Sequence, residues 1–569
     1  MKRRLLIFSV ISTMLFSIVL TSCGSKNAAA NSNEPKAGNV IKINKATDSS
    51  KNPEASKNRK NTIIVGGNGA PGGNFVSYYA QTLTDAYISD SITDGLTDFD
   101  DNGNPIPGIA KKWDISKDGL TYTFHLRNDV KFSDGKLLTA EDVKFSLELI
   151  FDPSFSGGVD PSAIAIKGWE AFNKGTSKNI EGLKVIDPNT ISVTLEKPNS
   201  SVLYLIGTTI LPKEYFSKNY TPGDTKEVES KLQNPIGCGP YQVVKYIPGQ
   251  EVDLTANKYY WKGQPKIKNL IFKATTQNNK MQNLISGETD VDTFDATPEN
   301  ISQLKSMGFV DLTTYPSSNI FYVGLNLKDP KFSDKKVRQA LEYGLDREQM
   351  IKTAFKGNAF MSNEPQSEAH PSFTKDVSQY KYNPDKANKM LDQAGWKKGA
   401  DGIRAKNGVK FQIHLMSSST NAAHLLEIPI IKDNFKKLGI DVIPELMDLN
   451  TELSKMKSKS FDAYLMGTSV GADAMSSDLG PNFKTGSPSN SDGYSNPEVD
   501  KLIAQAYSEM DSDKRTAIER KIYKITNEEL PFLFTYQPET VWASNSRITG
   551  IKFFPYKSYA HSLYKSQIK

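Results

Sequence analysis

The sequence contains little of the chemistry that cross-links a fold or holds a metal ion. Only two of its 569 residues are cysteines, Cys23 and Cys238, so a network of disulfides is excluded. The five histidines are scattered along the chain, at His125, His370, His414, His424 and His561. No two of them have the close spacing that is typical of ligands on one zinc ion. We therefore expect neither a metal site nor another cofactor.

Long apolar runs are also missing, apart from one at the N-terminus. Lys2, Arg3 and Arg4 precede an uncharged and mostly apolar run over residues 5–20. A basic start, a short apolar core and small residues at its end are typical of a secretion signal. The run is shorter than the ~20 residues that a membrane-spanning helix needs, and no later run is long and apolar enough to cross a bilayer.

The residues that end this run indicate a lipid anchor. Residues 20–23 read Leu-Thr-Ser-Cys, which resembles the lipobox of bacterial lipoproteins, where a diacylglycerol joins the cysteine sulfur and cleavage leaves that cysteine at the N-terminus. We predict a signal peptide over residues 1–22 and a lipid on Cys23, which places the protein on the extracytoplasmic face of the cell membrane. An uncleaved anchor helix is the alternative. Cys238 then has no disulfide partner in the chain, and we expect it to be an inert residue in a turn.

Residues 24–61 have the composition of a flexible tether. They contain no aromatic residue and only three large aliphatic residues, which is too little apolar surface to order a segment. Of the net charge of +6, residues 1–22 contribute +3 and residues 24–61 contribute +5, which leaves −2 for residues 62–569. We predict a lipidated tether over residues 23–61 and a body without a basic nucleic-acid-binding face.

Two glycine-rich motifs match known ligand loops only in part. Gly67, Gly69 and Gly72 have the Gly-x-Gly-x-x-Gly spacing of a dinucleotide site, but Pro71 stands where a helix N-terminus should donate backbone N–H groups. Residues 98–109 begin like a calcium loop, yet the twelfth position is Ile where a bidentate Glu is needed. We interpret the first motif as a strand-to-loop exit and the second as a tight turn.

A third motif indicates an alternative from another class of protein. Gly467, Ser469 and Gly471 follow a strand-like run and fit Gly-x-Ser-x-Gly, the nucleophile elbow of serine hydrolases. An elbow requires a helix directly after the serine, whereas the sequence here continues with residues typical of a loop. Only His561 lies downstream to act as the base. A secreted serine hydrolase that uses Ser469 is therefore the less favoured interpretation.

Hydrophobic periodicity indicates a mixed α/β body of two or three domains. Strand-like patterns occur over residues 62–65, 122–126, 190–195, 241–246, 320–325 and 461–466. Helical patterns occur over residues 140–149, 334–345, 384–394, 425–438 and 496–510. Capping signals support these helices, because Thr139 with Asp142 resembles a capping box and Asn383 precedes a proline at a first helical position.

A series of specific motifs extends over about residues 62–555. In chain order they are Ala-Lys-Lys-Trp at 110–113, Asp-Gly-Leu-Thr-Tyr-Thr-Phe-His-Leu-Arg at 118–127, Val-Lys-Phe-Ser-Asp-Gly at 130–135, Leu-Thr-Ala-Glu-Asp-Val-Lys-Phe-Ser at 138–146, Pro-Ile-Gly-Cys-Gly-Pro-Tyr at 235–241, Asn-Lys-Tyr-Tyr-Trp at 257–261, Val-Gly-Leu-Asn-Leu at 323–327, Val-Arg-Gln-Ala-Leu at 337–341 with Asp-Arg at 346–347, Tyr-Asn-Pro-Asp-Lys-Ala at 382–387, Ala-Gly-Trp at 394–396, Tyr-Ser-Asn-Pro-Glu-Val-Asp at 494–500 and Gly-Ile-Lys-Phe at 550–553. Together they resemble the extracellular solute-binding proteins of the oligopeptide, dipeptide and nickel type. One departure is Cys238, where that family usually has Thr.

The resemblance implies a two-lobed α/β clamshell of the type II periplasmic-binding-protein class with an additional inserted domain. It implies that residues 62–95, 212–315 and 535–569 form the first lobe, that residues 316–534 form the second, and that residues 96–211 form the inserted domain. A ligand would bind between the lobes, drive their closure about a hinge and pass to the membrane permease of an ABC importer. The implied protein is a monomeric receptor and not an enzyme.

The resemblance also implies a peptide ligand. In peptide-binding relatives an Asp after a strand of the second lobe pairs with the α-amino group of the ligand, and Asp473 occupies the matching position. The preceding small, strand-like run could add main-chain hydrogen bonds to an extended peptide, from Gly467, Thr468, Ser469 and Gly471. Asn319 is a further candidate for the same cleft. Nickel complexes and sugars stay open as ligands, and Asp473 could instead cap a helix or lie in a solvated loop.

Overall fold

A computed structural model describes residues 40–207 and 209–569 of the chain. The predicted signal peptide, Cys23 and the first part of the predicted tether lie outside the described residues. The strands are β1 (Lys42–Asn44), β2 (Thr62–Gly66), β3 (Thr97–Phe99), β4 (Pro105–Pro107), β5 (Ala110–Ile115), β6 (Thr121–Leu126), β7 (Leu183–Asp187), β8 (Thr190–Thr194), β9 (Tyr241–Ile247), β10 (Glu251–Ala256), β11 (Asn269–Lys273), β12 (Val291–Asp295), β13 (Val310–Pro316), β14 (Asn319–Leu325), β15 (Ala359–Met361), β16 (Lys397–Lys398), β17 (Arg404–Lys406), β18 (Val409–Lys410), β19 (Gln412–Ser418), β20 (Asp441–Met447), β21 (Ala463–Ser469), β22 (Phe532–Phe534), β23 (Tyr536–Asn545), β24 (Ile548–Thr549) and β25 (Gln567–Ile568). The α-helices are α1 (Glu54–Asn58), α2 (Leu83–Ile92), α3 (Ala140–Ile150), α4 (Trp169–Asn173), α5 (Val202–Leu205), α6 (Lys213–Ser217), α7 (Lys226–Glu229), α8 (Lys280–Ser286), α9 (Pro298–Met307), α10 (Lys335–Gly344), α11 (Arg347–Phe355), α12 (Pro384–Gln393), α13 (Ala422–Lys437), α14 (Leu449–Ser458), α15 (Pro497–Ser508), α16 (Ser512–Glu529) and α17 (Ala560–Leu563), and a π-helix covers Met475–Phe483.

Local sequence signals determine where the main helices begin. Every strand and helix predicted from periodicity is confirmed, with ends that shift by at most a few residues. The side chains of Thr139 and Asp142 form the predicted capping box of α3. Asn383 and Asn496 each accept backbone N–H groups at the start of α12 and α15, and a proline follows each of them. Among the described helices, none is both long enough and apolar enough to span a membrane.

The first sheet is the largest and is mixed. Its strand order is β1-β13-β23-β12-β2-β11-β10-β9, and β15 also pairs with β23. β2 runs parallel to β11 and β12, whereas β23 runs antiparallel to β12 and β13. Its apolar core includes Ile63, Val65, Phe272, Trp542 and Phe553. This sheet therefore combines strands from the two ends of the chain with strands from residues 241–316 and with the short strand β15.

The second sheet has the order β20-β19-β21-β14-β22. β19 runs parallel to β20 and β21, and β14 runs antiparallel to β21 and β22. A separate core covers it, in which Leu415 and Leu465 of the strands are clustered with Ile431 and Phe435 of α13. The two large sheets are therefore stabilised by distinct hydrophobic cores.

Two short connections between these two sheets lie side by side. β13 ends at Pro316 and β14 begins at Asn319, while β22 ends at Phe534 and β23 begins at Tyr536. The two connections are hydrogen-bonded to each other, because the N–H of Ser317 donates to the carbonyl of Pro538 at 2.8 Å. Short connections of this kind are the positions that absorb the backbone rotation of a hinge.

A third sheet, β5-β6-β8-β7, is entirely antiparallel. It has its own core, which includes Tyr122, Phe124, Phe145, Ile191 and Val193. Most strands of the three sheets come from the segments predicted as a first lobe, a second lobe and an inserted domain; β1 and β15 of the first sheet are exceptions. The residue boundaries of those domains stay a prediction.

The predicted tether is wrong for residues 42–59, called here the N-terminal arm. β1 pairs with β13 at the edge of the first sheet, and α1 follows it. The buried carboxylate of Asp290 accepts hydrogen bonds from the hydroxyl of Ser56 at 3.2 Å and from the guanidinium of Arg59 at 3.0 Å. Composition underestimates order here, because the ordering partner of Ser56 lies 234 residues away in the sequence.

The two partial glycine-rich motifs form the loop and the turn predicted for them. After Gly67 and Gly69 the chain forms no α-helix until Leu83, so the backbone lacks the helix N-terminus of a dinucleotide site. At the second motif, Asp100 accepts hydrogen bonds from the backbone N–H groups of Asn102 and Asn104. This carboxylate therefore closes a turn in the manner of an Asx motif.

Cys238 is fully buried in the turn before β9. Its thiol lies 3.8 Å from the carbonyl oxygen of Asp94, and burial raises the pKa of the thiol to about 12. The reactive thiolate is therefore strongly disfavoured, in agreement with the prediction of an inert residue.

Candidate ligand-binding site

A cavity of about 890 Å³ lies between the first and second sheets. The first-sheet side of its wall includes Lys280, Phe294, Tyr315 and Trp542. The second-sheet side includes Asn319, Phe321, Ser469, Gly471 and Ala472. A concave space of this size, lined by aromatic side chains and a few polar groups, has the features of a small-ligand site.

One strand of the cavity wall has an unpaired edge. β21 pairs with β14 along its whole length, but it pairs with β19 only at Ala463 and Tyr464. β19 ends at Ser418, which this register places level with Met466, so no strand in the described part of the chain covers that side of β21 from Gly467 to Ser469. The backbone N–H and C=O groups on that side can therefore pair with a ligand in an extended conformation.

The structure brings five of the predicted site residues together at this edge. Gly467, Thr468 and Ser469 form the end of β21, and Asn319, the first residue of β14, is paired with Ser469. Gly471 follows the strand and lines the same cavity. These residues present mainly backbone groups and small side chains, which suits main-chain recognition.

Asp473, the sixth predicted residue, directly follows this wall, and its carboxylate is buried. The residue is 4% exposed. Its Oδ2 accepts hydrogen bonds from the N–H of Ser476 at 2.9 Å and from the hydroxyl of Ser476 at 2.5 Å, so Asp473 caps the π-helix. Its Oδ1 has no hydrogen-bond partner among the described residues. A buried carboxylate oxygen in this state is costly and has room for one more donor.

Charged groups on α16 surround Asp473. Arg515 is attracted electrostatically by both Asp473 and Glu519, and its Nε lies 3.5 Å from Glu519 Oε1. Its guanidinium also donates to the carbonyl of Ser200 and to the hydroxyl of Tyr204, each at 3.3 Å. Burial raises the pKa of Glu519 to about 7. Arg515 therefore offsets part of the negative charge of Asp473. Its hydrogen bonds to Ser200 and Tyr204 also connect α16 to the chain around α5.

A neutral histidine fixes the backbone beside Asp473. The N–H of Ser372 donates to Nδ1 of His370 at 3.1 Å, and Nε2 of His370 lies 3.0 Å from the carbonyl oxygen of Ala472. Burial lowers the pKa of His370 to about 4. The ring is therefore uncharged at neutral pH, and Nε2 carries the proton that it donates to the cavity wall.

The opposite wall contributes a buried cation. Lys280 is 3% exposed, and its Nζ lies 3.4 Å from Oδ1 of Asn68 and 5.4 Å from the ring centre of Phe294. Burial lowers the pKa of Lys280, and the nearby charges of Asp292 and Asp295 oppose that shift. Burial also raises the pKa of Asp292 to about 6. Asp295 lines the cavity together with Lys280, so its first-sheet side carries groups of both signs.

A family model described as bacterial extracellular solute-binding proteins, family 5, matches residues 104–490. The chain belongs to this family. The oligopeptide-binding protein AppA of Bacillus subtilis is 28% identical to it over 564 residues, which cover 98% of this chain and 97% of AppA. Solved structures agree: AppA from Bacillus subtilis in complex with a nonapeptide has a TM-score of 0.70 at 26% identity, covering 90% of this chain and 99% of that chain. NikZ from Campylobacter jejuni in complex with Ni(L-His) has a TM-score of 0.70 at 25% identity, covering 89% and 99%.

These likenesses confirm the predicted family and fold class. The family 5 protein has the two-lobed fold of the type II periplasmic binding proteins, and the cavity between its two large sheets is the cleft between the lobes. The family consists of solute-binding proteins and not of enzymes.

The hydrolase interpretation lacks the nucleophile–base pair that it requires. The hydroxyl of Ser469 lies 3.4 Å from the hydroxyl of Ser318, and the chain after β21 forms a loop before the π-helix. His561 interacts electrostatically with Asp90 and Asp94 instead. A nucleophile elbow needs a base within hydrogen-bond reach of the serine, which His561 does not supply.

Sequence reasoning missed a side pocket of the same cleft. This side pocket has a volume of about 540 Å³ and shares Asn319, Phe321 and Ser469 with the main cavity. Its wall includes Glu452, which lies one turn before Met456 on the buried face of α14. An acid at a core-facing helical position is the signal in the sequence that could have revealed it.

Proposed function

We propose that this family 5 protein is the substrate-binding lipoprotein of an ABC importer and that it captures oligopeptides in the interlobe cleft. The observation that carries the proposal is the unpaired edge of β21 from Gly467 to Ser469 in the cavity wall. An extended peptide can add itself to such an edge through main-chain hydrogen bonds, which give affinity without reading every side chain. The likeness to AppA, an oligopeptide-binding protein solved with a nonapeptide, supports the same ligand class.

Asp473 holds the α-amino group of the peptide in this proposal. An ammonium group removed from water needs a charged partner with good hydrogen-bond geometry. Asp473 is buried next to the wall residue Ala472, and its Oδ1 has no partner in the described chain. The capping bonds from Ser476 engage only Oδ2, so capping and amine binding use different oxygens of the same carboxylate.

A nickel complex is the second candidate ligand, because NikZ in complex with Ni(L-His) has the same TM-score as AppA. Among the described residues, no group of three or more His, Cys, Asp and Glu side chains is placed to hold a metal ion. A metal would therefore have to arrive with ligands supplied by its chelator. The unpaired main-chain edge favours the peptide.

Mass spectrometry of the small molecules that co-purify with the native protein tests the ligand class directly. We expect short peptides, because a ligand that dissociates slowly stays bound through purification. Recovery of a nickel chelate, together with no detectable peptide binding by calorimetry, would overturn the peptide assignment.

Peptide binding is expected to close the two lobes without cleaving the peptide. The two short connections at residues 316–319 and 534–536 allow the lobes to rotate as rigid bodies. Small-angle scattering should therefore show a smaller radius of gyration with peptide than without it, and mass spectrometry should recover the peptide intact. Steady formation of cleavage products contradicts a receptor role, and an unchanged radius contradicts closure.

Replacing Cys23 with serine is expected to release the protein from the membrane, because serine cannot form the thioether to the diacylglycerol. The matched control is Cys238→Ser, which changes the other cysteine of the chain and is expected to leave the protein membrane-bound. Fractionation of cells followed by immunodetection measures both. Membrane retention of Cys23→Ser would indicate an uncleaved anchor helix instead.

A further inference from the structure

The side pocket lies along the unpaired edge of β21. Its wall includes Met466, Gly467 and Thr468 of that strand, together with Ser418 at the end of β19 and Thr420 just after it. The pocket therefore occupies the place where a longer β19 would run. A peptide that pairs with the edge of β21 passes this pocket and directs a side chain into it.

The wall of the side pocket contains a carboxylate without a counter-charge. Glu452 is 0% exposed, and neither of its carboxylate oxygens has a hydrogen-bond partner among the described residues. Burial raises the pKa of Glu452 to about 7, and the nearby N–H of Ser418 offsets only part of that rise. Lys455, one turn later on α14, forms an ion pair with Glu445 at 3.5 Å instead. A cation of the ligand would therefore supply the counter-charge that Glu452 lacks.

Phe321, Leu449 and Met466 supply the apolar part of the remaining wall, and ring contacts hold Phe321 in place. Phe321 is stacked on Tyr536 with ring centres 5.1 Å apart, and its edge meets the ring of His424 at 5.8 Å. His424 is close to Ser417 at Nδ1, 3.2 Å, and to Asn421 at Nε2, 3.3 Å. Burial lowers the pKa of His424 to about 4, so the ring brings no positive charge to Glu452. Apolar side chains beside a buried acid, in a wall that is otherwise polar and uncharged, match a side chain with an aliphatic stem and a cationic end.

We propose that the side pocket binds a basic side chain of the peptide, lysine or arginine, with its stem against Phe321 and Met466 and its cation against Glu452. This inference rests on the proposed function, since it needs a peptide along β21. The receptor then prefers peptides with a basic residue at one fixed distance from the α-amino group. This distance is set by Asp473 and Glu452, which both belong to the segment predicted as the second lobe.

Calorimetry with a series of alanine-based peptides tests this preference. Each peptide carries one lysine, or one norleucine of similar length and no charge, at a different position. At one position we expect lysine to bind about thirtyfold more tightly than norleucine, and we expect Glu452→Gln to bring this ratio close to one. The matched control is Glu445→Gln, an acid on β20 beside the same helix, which is expected to keep the wild-type ratio.

The outcomes separate this inference from the proposed function. If peptides bind but no position prefers lysine, or if the preference persists in Glu452→Gln, the side-pocket assignment is wrong and the peptide receptor stands. If Glu452→Gln lowers only the unfolding midpoint and not the ratio, Glu452 has a structural role. If no peptide binds to the wild-type protein, both assignments fail.

If Glu452→Gln does not fold, Glu452→Asp is measured in its place, because its side chain is one methylene shorter and moves the carboxylate away from the pocket. An unchanged ratio of lysine-peptide to norleucine-peptide affinity in this variant overturns the side-pocket assignment.

Discussion

Replacing Asp290 with alanine is expected to lower the free energy of unfolding by about 3–5 kcal/mol, because it leaves the buried guanidinium of Arg547 and the partly buried one of Arg59 without their counter-charge. Asp290 is 0% exposed. Its oxygens accept hydrogen bonds from Nε and a terminal nitrogen of Arg547 at 3.0 and 2.8 Å, from Arg59 at 3.0 Å and from the N–H of Ile64 at 3.0 Å. Chemical denaturation followed by circular dichroism measures the loss as a shift of the midpoint.

Asp311→Ala is the matched control for this prediction. Asp311 also joins the N-terminal arm to the first sheet, through Lys45 at 2.8 Å and the N–H of Ala46 at 2.8 Å, but the side chain of Lys45 is 73% exposed. An exposed ion pair contributes about 1 kcal/mol or less, so the midpoint should shift only slightly. Equal small shifts in both variants would show that the Asp290 network contributes little to stability.

Replacing Asp473 with asparagine is expected to weaken the binding of peptides with a free α-amino group by about 2–5 kcal/mol, because the buried ammonium loses its charged partner. Asparagine keeps an oxygen that can accept the bonds from Ser476, so the cap of the π-helix is retained. Calorimetry with free and N-acetylated forms of the same peptide measures the effect. The variant should lose the free peptide far more than the acetylated one, which carries no charge at its N-terminus.

Ser476→Ala controls for the structural part of this effect. It removes one hydrogen bond to Oδ2 of Asp473 and leaves the charge in place, and a lost cap bond costs about 1 kcal/mol of stability. We expect it to keep the preference for the free amine. Equal affinity of the wild-type protein for free and acetylated peptides would refute the role of Asp473 in amine binding.

The elements of the fold could be predicted where their signals are local. The capping box at Thr139 and Asp142 and the caps at Asn383 and Asn496 all lie within four residues of the helices that they start. The N-terminal arm could not be predicted in this way. Its residues are polar, and they are ordered by Asp290 and by the edge of β13, both distant in the sequence. The composition of a segment indicates how much apolar surface it can bury by itself. It does not indicate which hydrogen bonds and strand pairs the segment forms with distant parts of the chain.

The candidate site could likewise be predicted only where its signals are local. The family resemblance identified the run from Gly467 to Gly471, and the structure places that run in the cleft wall. The unpaired edge depends instead on β19 ending at Ser418 while β21 continues to Ser469, which is a relation between two strands and has no local motif. The role of Glu452 is hidden for a related reason, since its burial follows from how α14 packs beside β19. Strand register and packing are set by non-local contacts.

The short strand β1 also determines how the first sheet ends. Without it, β13 would be the outermost strand and would offer a row of free N–H and C=O groups over Leu312, Thr313 and Thr314. Such an edge is a template for pairing with a second molecule. β1 covers it with three exposed residues, Lys42–Asn44, and a lysine at position 45 follows. The sheet therefore ends in a short strand that is followed by a charged side chain, which disfavours aggregation through pairing of strand edges.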